Sequence, residues 1–187
     1  MKKFDESGVG MKILGYLEEE GWESYGDPLN GQWGSDVLNK KYDREPADVV
    51  YWNLLKEKIV ELNDRIDETG AKEVIGKLQR KISAENLVEG NKEFYNVLRN
   101  GIKHTLSAEY DHEDTYIDLI DFENFENNSL IAATEFEVHR KDKVRPDIVL
   151  FVNGIPLVSI ELKSSAQDNT VYDAINDLRG YEEDEPR

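Results

Sequence analysis

Residues 145–163 read Arg-Pro-Asp-Ile-Val-Leu-Phe-Val-Asn-Gly-Ile-Pro-Leu-Val-Ser-Ile-Glu-Leu-Lys, and this stretch decides the fold. Residues 147–152 (DIVLFV) are nearly all apolar and of strand length, the pattern of a strand buried on both faces. Asn153-Gly154 is a strong hairpin-turn signal, and residues 157–163 (LVSIELK) form the returning strand.

This apolar hairpin carries charges where a buried strand should not, at Asp147, Glu161 and Lys163. A charge taken out of water needs a partner or a metal. Two readings fit. One is an ion pair at the rim of the hairpin. The other is a site in which two carboxylates hold a hard divalent cation through oxygen and the lysine orients a water or offsets developing charge. A cation held there would polarise a phosphoryl oxygen, the requirement for phosphodiester hydrolysis. Register separates the two readings. With a plain two-residue turn at Asn153-Gly154, Asp147 shares a face with Ile160 and Leu162, away from Glu161 and Lys163. The metal reading needs a one-residue offset. A three-residue loop from Asn153 to Ile155 supplies it, and so does a bulge near Pro146. We expect such an offset.

Outward from the hairpin, residues 115–122 (TYIDLIDF) and 130–139 (LIAATEFEVH) read as further strands, and 171–182 (VYDAINDLRGYE) as a closing helix. Residues 5–20 carry Val9, Ile13, Leu14 and Leu17 at helical spacing, stopped by Gly21. Residues 23–36 are rich in turn formers and read as a loop. Helices are predicted near 46–66, 71–82 and 91–100, their apolar stripes facing a core. His104 and His112 have no partner spacing for a metal and read as surface residues. The expected class is α/β, a mixed sheet of at least four strands flanked by helices. The expected division is a helical insertion at about 44–102 within a core at about 5–22 and 104–187.

The 187 residues hold 40 acidic and 23 basic side chains, a formal charge of −17. Such a balance excludes a domain that grips nucleic acid by bulk charge. With no cysteine, disulfides, thiolate zinc sites and thiol catalysis are excluded. No apolar run reaches the roughly 18 residues of a membrane helix, and MKKFDESGVG lacks the apolar stretch of a signal peptide. The expectation is a cytoplasmic protein with no membrane association. The densest basic run, His139 to Arg145, leads directly into Asp147. It reads either as a solvated loop or as a local patch, with Arg140, Lys141, Lys143 and Arg145 on phosphates beside a scissile bond.

The stretch Arg145–Lys163 closely resembles the nuclease motif of the motor (R) subunit of type I restriction–modification enzymes, members of the PD-(D/E)xK superfamily. The resemblance extends to Leu17–Glu23 with its Gly21-Trp22, to Asn91–Gly101, to Ile117–Phe122, and to Arg179, Tyr181 and Pro186. It implies a restriction-endonuclease-like fold and DNA cleavage with Mg²⁺, Mn²⁺ serving as a substitute. It implies that Asp147, Glu161 and the backbone carbonyl of Leu162 hold the metal and that Lys163 serves the attacking water. The family's Gln-x-x-x-Tyr motif matches at Tyr181, but Asp177 stands at the glutamine position. An ionised aspartate cannot donate a hydrogen bond, which puts in doubt the DNA or water contact expected there. Two further departures are Glu135, where the family often has glutamine, and Gly10, where it usually has glutamate. Glu135 reads as an added ligand or as a solvated strand residue.

Subunits of this family carry ATP-driven motor domains after the nuclease, and this sequence contains no Gly-Lys-Ser/Thr phosphate loop. The resemblance therefore implies the N-terminal nuclease fragment of a longer subunit, using ATP only in that full-length form. Its partners would be double-stranded DNA, the modification and specificity subunits, and its own motor domains. Two rivals remain: a free-standing repair-type nuclease of the same superfamily, and a catalytically silent assembly module that keeps the fold.

Overall fold

The computed structural model describes residues 6–27, 29–82, 87–139, 143–163, 172, 175–176 and 179. In chain order its elements are α1 (Glu6–Glu19), β1 (Glu23–Tyr25), α2 (Gly34–Tyr42), α3 (Trp52–Leu62), α4 (Glu68–Ile82), α5 (Leu87–Asn100), β2 (Ile102–Thr105), β3 (Asp114–Ile117), β4 (Leu130–Thr134), β5 (Val138–His139), β6 (Lys143–Val144), β7 (Ile148–Val152) and β8 (Ile155–Ile160). They form two compact units. The first comprises Met1–Tyr51 with Leu130–Pro186, and the second Trp52–Ser129.

The first unit is built on a mixed sheet of order β1-β4-β7-β8, so the class is α/β, as expected. All five residues of β7 are buried. The reason is placement: β4 and β8 flank it in plane, and each face is covered. On one face Ile148 and Leu150 pack with Ala132 and Leu162 against Leu14 of α1, and Val9, Ile13, Leu17 and Trp22 surround that cluster. On the other face Phe151 meets Phe136 and Tyr51 edge-on, at centroid distances of 4.9 and 5.0 Å. Arg44, also buried, donates to the carbonyls of Asp48 and Glu137 and lies 4.5 Å above the Phe136 ring. A guanidinium is suited to this position because its fork satisfies several acceptors while its plane stacks on an aromatic ring.

Three expectations are corrected in the sheet and its surroundings. Residues 23–36 are not all loop: Glu23–Tyr25 pair in parallel with Ile131–Ala133, and a helix begins at Gly34. Gly34 is required there, since a Cβ would stand 2.1 Å from the Tyr25 carbonyl oxygen. Residues 115–122 do not join the main sheet. Asp114–Ile117 pair with Ile102–Thr105 in the second unit. The strand stops there because Asn63 exchanges hydrogen bonds with the backbone of Asp118, at 2.9 and 3.0 Å. The helix expected from Pro46 begins at Trp52, and the Pro46 carbonyl accepts the His139 N–H instead.

The second unit stacks α3 on α4 and α4 on α5, with Leu55, Ile59, Val74 and Leu78 fully buried, and adds the β2–β3 hairpin. His104 is buried here, contrary to the surface reading. Strand β2 alternates in burial, which turns Ile102 and His104 inward. The polar ring is satisfied there because Lys77 Nζ lies 3.2 Å from Nδ1.

Candidate metal and phosphodiester site

The hairpin register contains the expected offset, produced by a different device. Val152 pairs with Ile155 and Phe151 with Pro156, the register of a two-residue turn. Leu150 then pairs with Val158, so Leu157 is extra and bulges. From that point Val149 faces Ser159 and Ile148 faces Ile160. The paired residues end there, and one further step along this register would set Asp147 opposite Glu161. Neither a three-residue loop nor a bulge near Pro146 is used. Asn153 and Gly154 both have positive φ, 52° and 83°, the geometry of a tight primed turn.

Asp147 is fixed through backbone and side chain. Its carbonyl accepts the Glu135 N–H at 2.8 Å, and its Oδ2 accepts the Leu162 N–H at 2.6 Å. Leu162 itself is buried in the cluster beneath α1. Alternation then turns its neighbours Glu161 and Lys163, both half-buried, to the other side. Glu161 contributes a fully buried carboxylate oxygen, Oε1. Continued alternation past Ile160 would put Glu161 and Lys163 on one face with Asp147 at the end of the β7–β8 hairpin.

The oxygen donors and the adjacent cation suit a hard divalent ion, and Asp147 Oδ1 is the oxygen left by the Leu162 contact. Among the described residues no group of three or more His, Cys, Asp or Glu side chains is arranged to hold a metal. A magnesium ion is commonly held by one or two carboxylates, with water and phosphate oxygens completing the shell, so the pair fits that class of site. Glu135 does not complete a protein triad. It adopts φ 51° just past β4, its carbonyl accepts the Ser35 hydroxyl at 2.8 Å, and its Oε2 pairs with Arg145 Nε at 2.9 Å. Burial raises its pKa above the ordinary carboxylate value; the Arg145 charge opposes this and the Asp147 charge adds to it.

Arg145 is thus held by Glu135 and stacks on Trp33, its Cζ 4.5 Å from the ring centroid. Lys143 pairs with Glu137, which also meets His139. Both candidate phosphate contacts are therefore engaged within the protein. The sequence reading missed the Glu135 and Trp33 partners because they approach from 10 and 112 positions away, with no local spacing to mark them. It also missed the Leu162 amide, which any residue type supplies. Arg140, Lys141, Asp177 and Tyr181 lie outside the described residues. At the remaining departure, Gly10 is buried, and a Cβ there would stand 3.0 Å from Leu162 Cδ1.

A family model described as type I restriction enzyme R protein N terminus matches residues 4–187. The type I restriction enzyme HindI endonuclease subunit of Haemophilus influenzae is 31% identical over 185 residues, covering 96% of this chain and 17% of that protein. Two proteins of Methanocaldococcus jannaschii named for type I restriction enzyme endonuclease subunits, MjaIXP and MjaVIIIP, are 31% and 33% identical over 159 and 136 residues. Those matches cover 82% and 72% of this chain and 15% and 13% of the relatives, so the chain spans about a seventh of their length. No solved structure matches the chain.

Proposed function

The chain belongs to the family of type I restriction enzyme R protein N termini, and from that premise we propose that it is the metal-dependent DNA-cleaving module of such a subunit. The observation that supports the proposal is the bulge at Leu157, which pairs Ile148 with Ile160, so that one further step would oppose Asp147 and Glu161. Asp147 and Glu161 would hold the cation, with the Leu162 carbonyl as a further oxygen donor. When bound, the ion would polarise the scissile phosphate and acidify a water. The Leu162 N–H orients the Asp147 carboxylate, and the β7–β8 pairing, which ends at Ile148–Ile160, would continue to set Glu161 across from it. Lys163, one turn of the pleat beyond Glu161, would hold the attacking water or offset charge on the phosphate.

The wider assignment is what the resemblance to type I restriction R subunits implies. Cleavage would serve a restriction complex with modification and specificity subunits, in the cytoplasm. ATP-driven motor domains of the same subunit would deliver the double-stranded DNA. No helix among the described residues is long and apolar enough to cross a membrane. The first unit would carry the nuclease core.

The test is a calorimetric titration of Mn²⁺ into the chain and into Asp147→Asn. Saturable binding that the variant loses supports the site. Equal heats from two folded proteins at millimolar metal would return the trio to an ion pair and favour a silent assembly module.

A further inference from the structure

A groove of about 430 Å³ in the second unit is lined, among the described residues, by Lys77, Arg80, Lys81 and Lys103, with Ile102 and Glu93. It continues into a cavity of about 630 Å³ that shares Lys81, Glu93, Ile102 and Lys103. That continuation adds side-chain donors from Asn96, Asn100 and Tyr116. Among the described residues of this lining the cations outnumber the acids, Glu93 in the lining and Asp114 beside Lys103, in a chain of charge −17.

The arrangement follows from the elements. Positions 77, 80 and 81 stand at i, i+3 and i+4 on α4, hence on one helix face. Lys103 is presented by the outward side of β2. Lys77 is held in place by the Lys103 carbonyl and by His104 Nδ1, each at 3.2 Å. For Nδ1 to accept from an ammonium the imidazole must be neutral, so His104 positions Lys77 without adding positive charge. Lys81 and Lys103 make exposed pairs with Glu93 and Asp114 at 3.0 and 2.8 Å. Such surface pairs are weak and exchange readily for a phosphate.

We propose that this α4–β2 groove is a docking surface for the phosphate backbone of duplex DNA, separate in chemistry from the carboxylate site. The inference rests on the reading that the chain acts on DNA. Arg and Lys supplemented by Asn amides and a Tyr hydroxyl make up the donor set that contacts phosphates.

The test is fluorescence anisotropy of a labelled duplex with the full chain, without divalent metal, over a salt series. Each lost phosphate contact lowers the slope of log K against log salt by about 0.9. The Arg80→Ala/Lys81→Ala variant is expected to bind more weakly, with a slope smaller by about 2. Lys56→Ala/Lys58→Ala, which removes the same charge outside the groove, is expected to match the parent. If the first pair fails to fold by circular dichroism, Lys103→Gln carries the test, with an expected fall of about 1. The proposal is overturned by a groove variant that binds like the parent, by an equal loss in the control pair, or by a parent chain that does not bind at low salt. Failure of the nuclease reading is seen elsewhere: Asp147→Asn would then leave metal binding unchanged while the groove variants still lowered the slope.

Discussion

The backbone N–H of Leu162 donates to Asp147 Oδ2 at 2.6 Å, across 15 positions of sequence. One contact joins the carboxylate proposed to hold metal to a residue whose side chain anchors the α1 core. Asparagine at 147 keeps an acceptor oxygen, and alanine does not. Asp147→Asn is therefore expected to lose under about 1 kcal/mol, and Asp147→Ala about 1–3 kcal/mol, because its partner amide is left unsatisfied. Urea denaturation measures both. Equal stabilities would mean that the contact does not hold the strand ends together.

The bulge makes a second prediction. Leu157 is 44% exposed, so Leu157→Ala is expected to cost under about 1 kcal/mol and to leave Mn²⁺ binding intact. Deleting Leu157 instead removes the extra residue while Leu150 still meets Val158 and Ile148 still meets Ile160. Ile160 and Leu162 keep their side of the strand, so the folded deletion is expected to bind Mn²⁺ like the parent by calorimetry. Loss of binding would show that the bulge itself, and not the register beyond it, shapes the site.

At Gly10 the helix packs directly on Leu162, whose Cδ1 would lie 3.0 Å from any Cβ added there. Alanine gains helix propensity but crowds a side chain that must give slightly, so Gly10→Ala is expected to lie within about 1 kcal/mol of the parent. Gly10→Glu, which installs the residue usual in the family, buries a charge and is expected to cost about 1–3 kcal/mol. Thermal unfolding compares the two. A Gly10→Glu protein as stable as the parent would show that this end of α1 can move off the sheet.

His104 gives a pH prediction. Burial, helped by the Lys77 charge, holds its pKa below the ordinary histidine value of 6.5, with Glu73 opposing. The unfolded chain takes up a proton near pH 6.5, and the folded chain does so only at lower pH. Stability from the neutral ring is therefore present above about 6.5 and declines as the pH falls below it. His104→Gln should lose this component, so its stability should fall less between about pH 7 and pH 5. Parallel slopes for the two proteins in denaturant titrations would contradict it.

The sequence by itself determined the parts that depend on neighbours along the chain. Helices α1 and α3–α5 follow from apolar spacing that suits 3.6 residues per turn, and β7 from a run of apolar residues that tolerates water on neither side. The co-occurrence of Asp147, Glu161 and Lys163 in an apolar hairpin was legible for the same reason: a charge among apolar residues is conspicuous without coordinates. Tertiary structure alone decided what depends on distant partners. Glu23–Tyr25 is a strand only because β4 lies beside it, and Ile117 ends a strand because Asn63 claims the next backbone group. His104 is buried because Lys77 can reach its ring. The metal reading asked for an offset, but its location at Leu157 was not written in the residues. An extra residue anywhere in β8 before Ile160 would pair Ile148 with Ile160 and keep Ile160 and Leu162 in the core beneath α1, so core burial decides the offset and only the pairing itself shows its place at Leu157. Local spacing sets which face a side chain occupies relative to its neighbours, whereas register is set by the burial of side chains on elements far away in sequence.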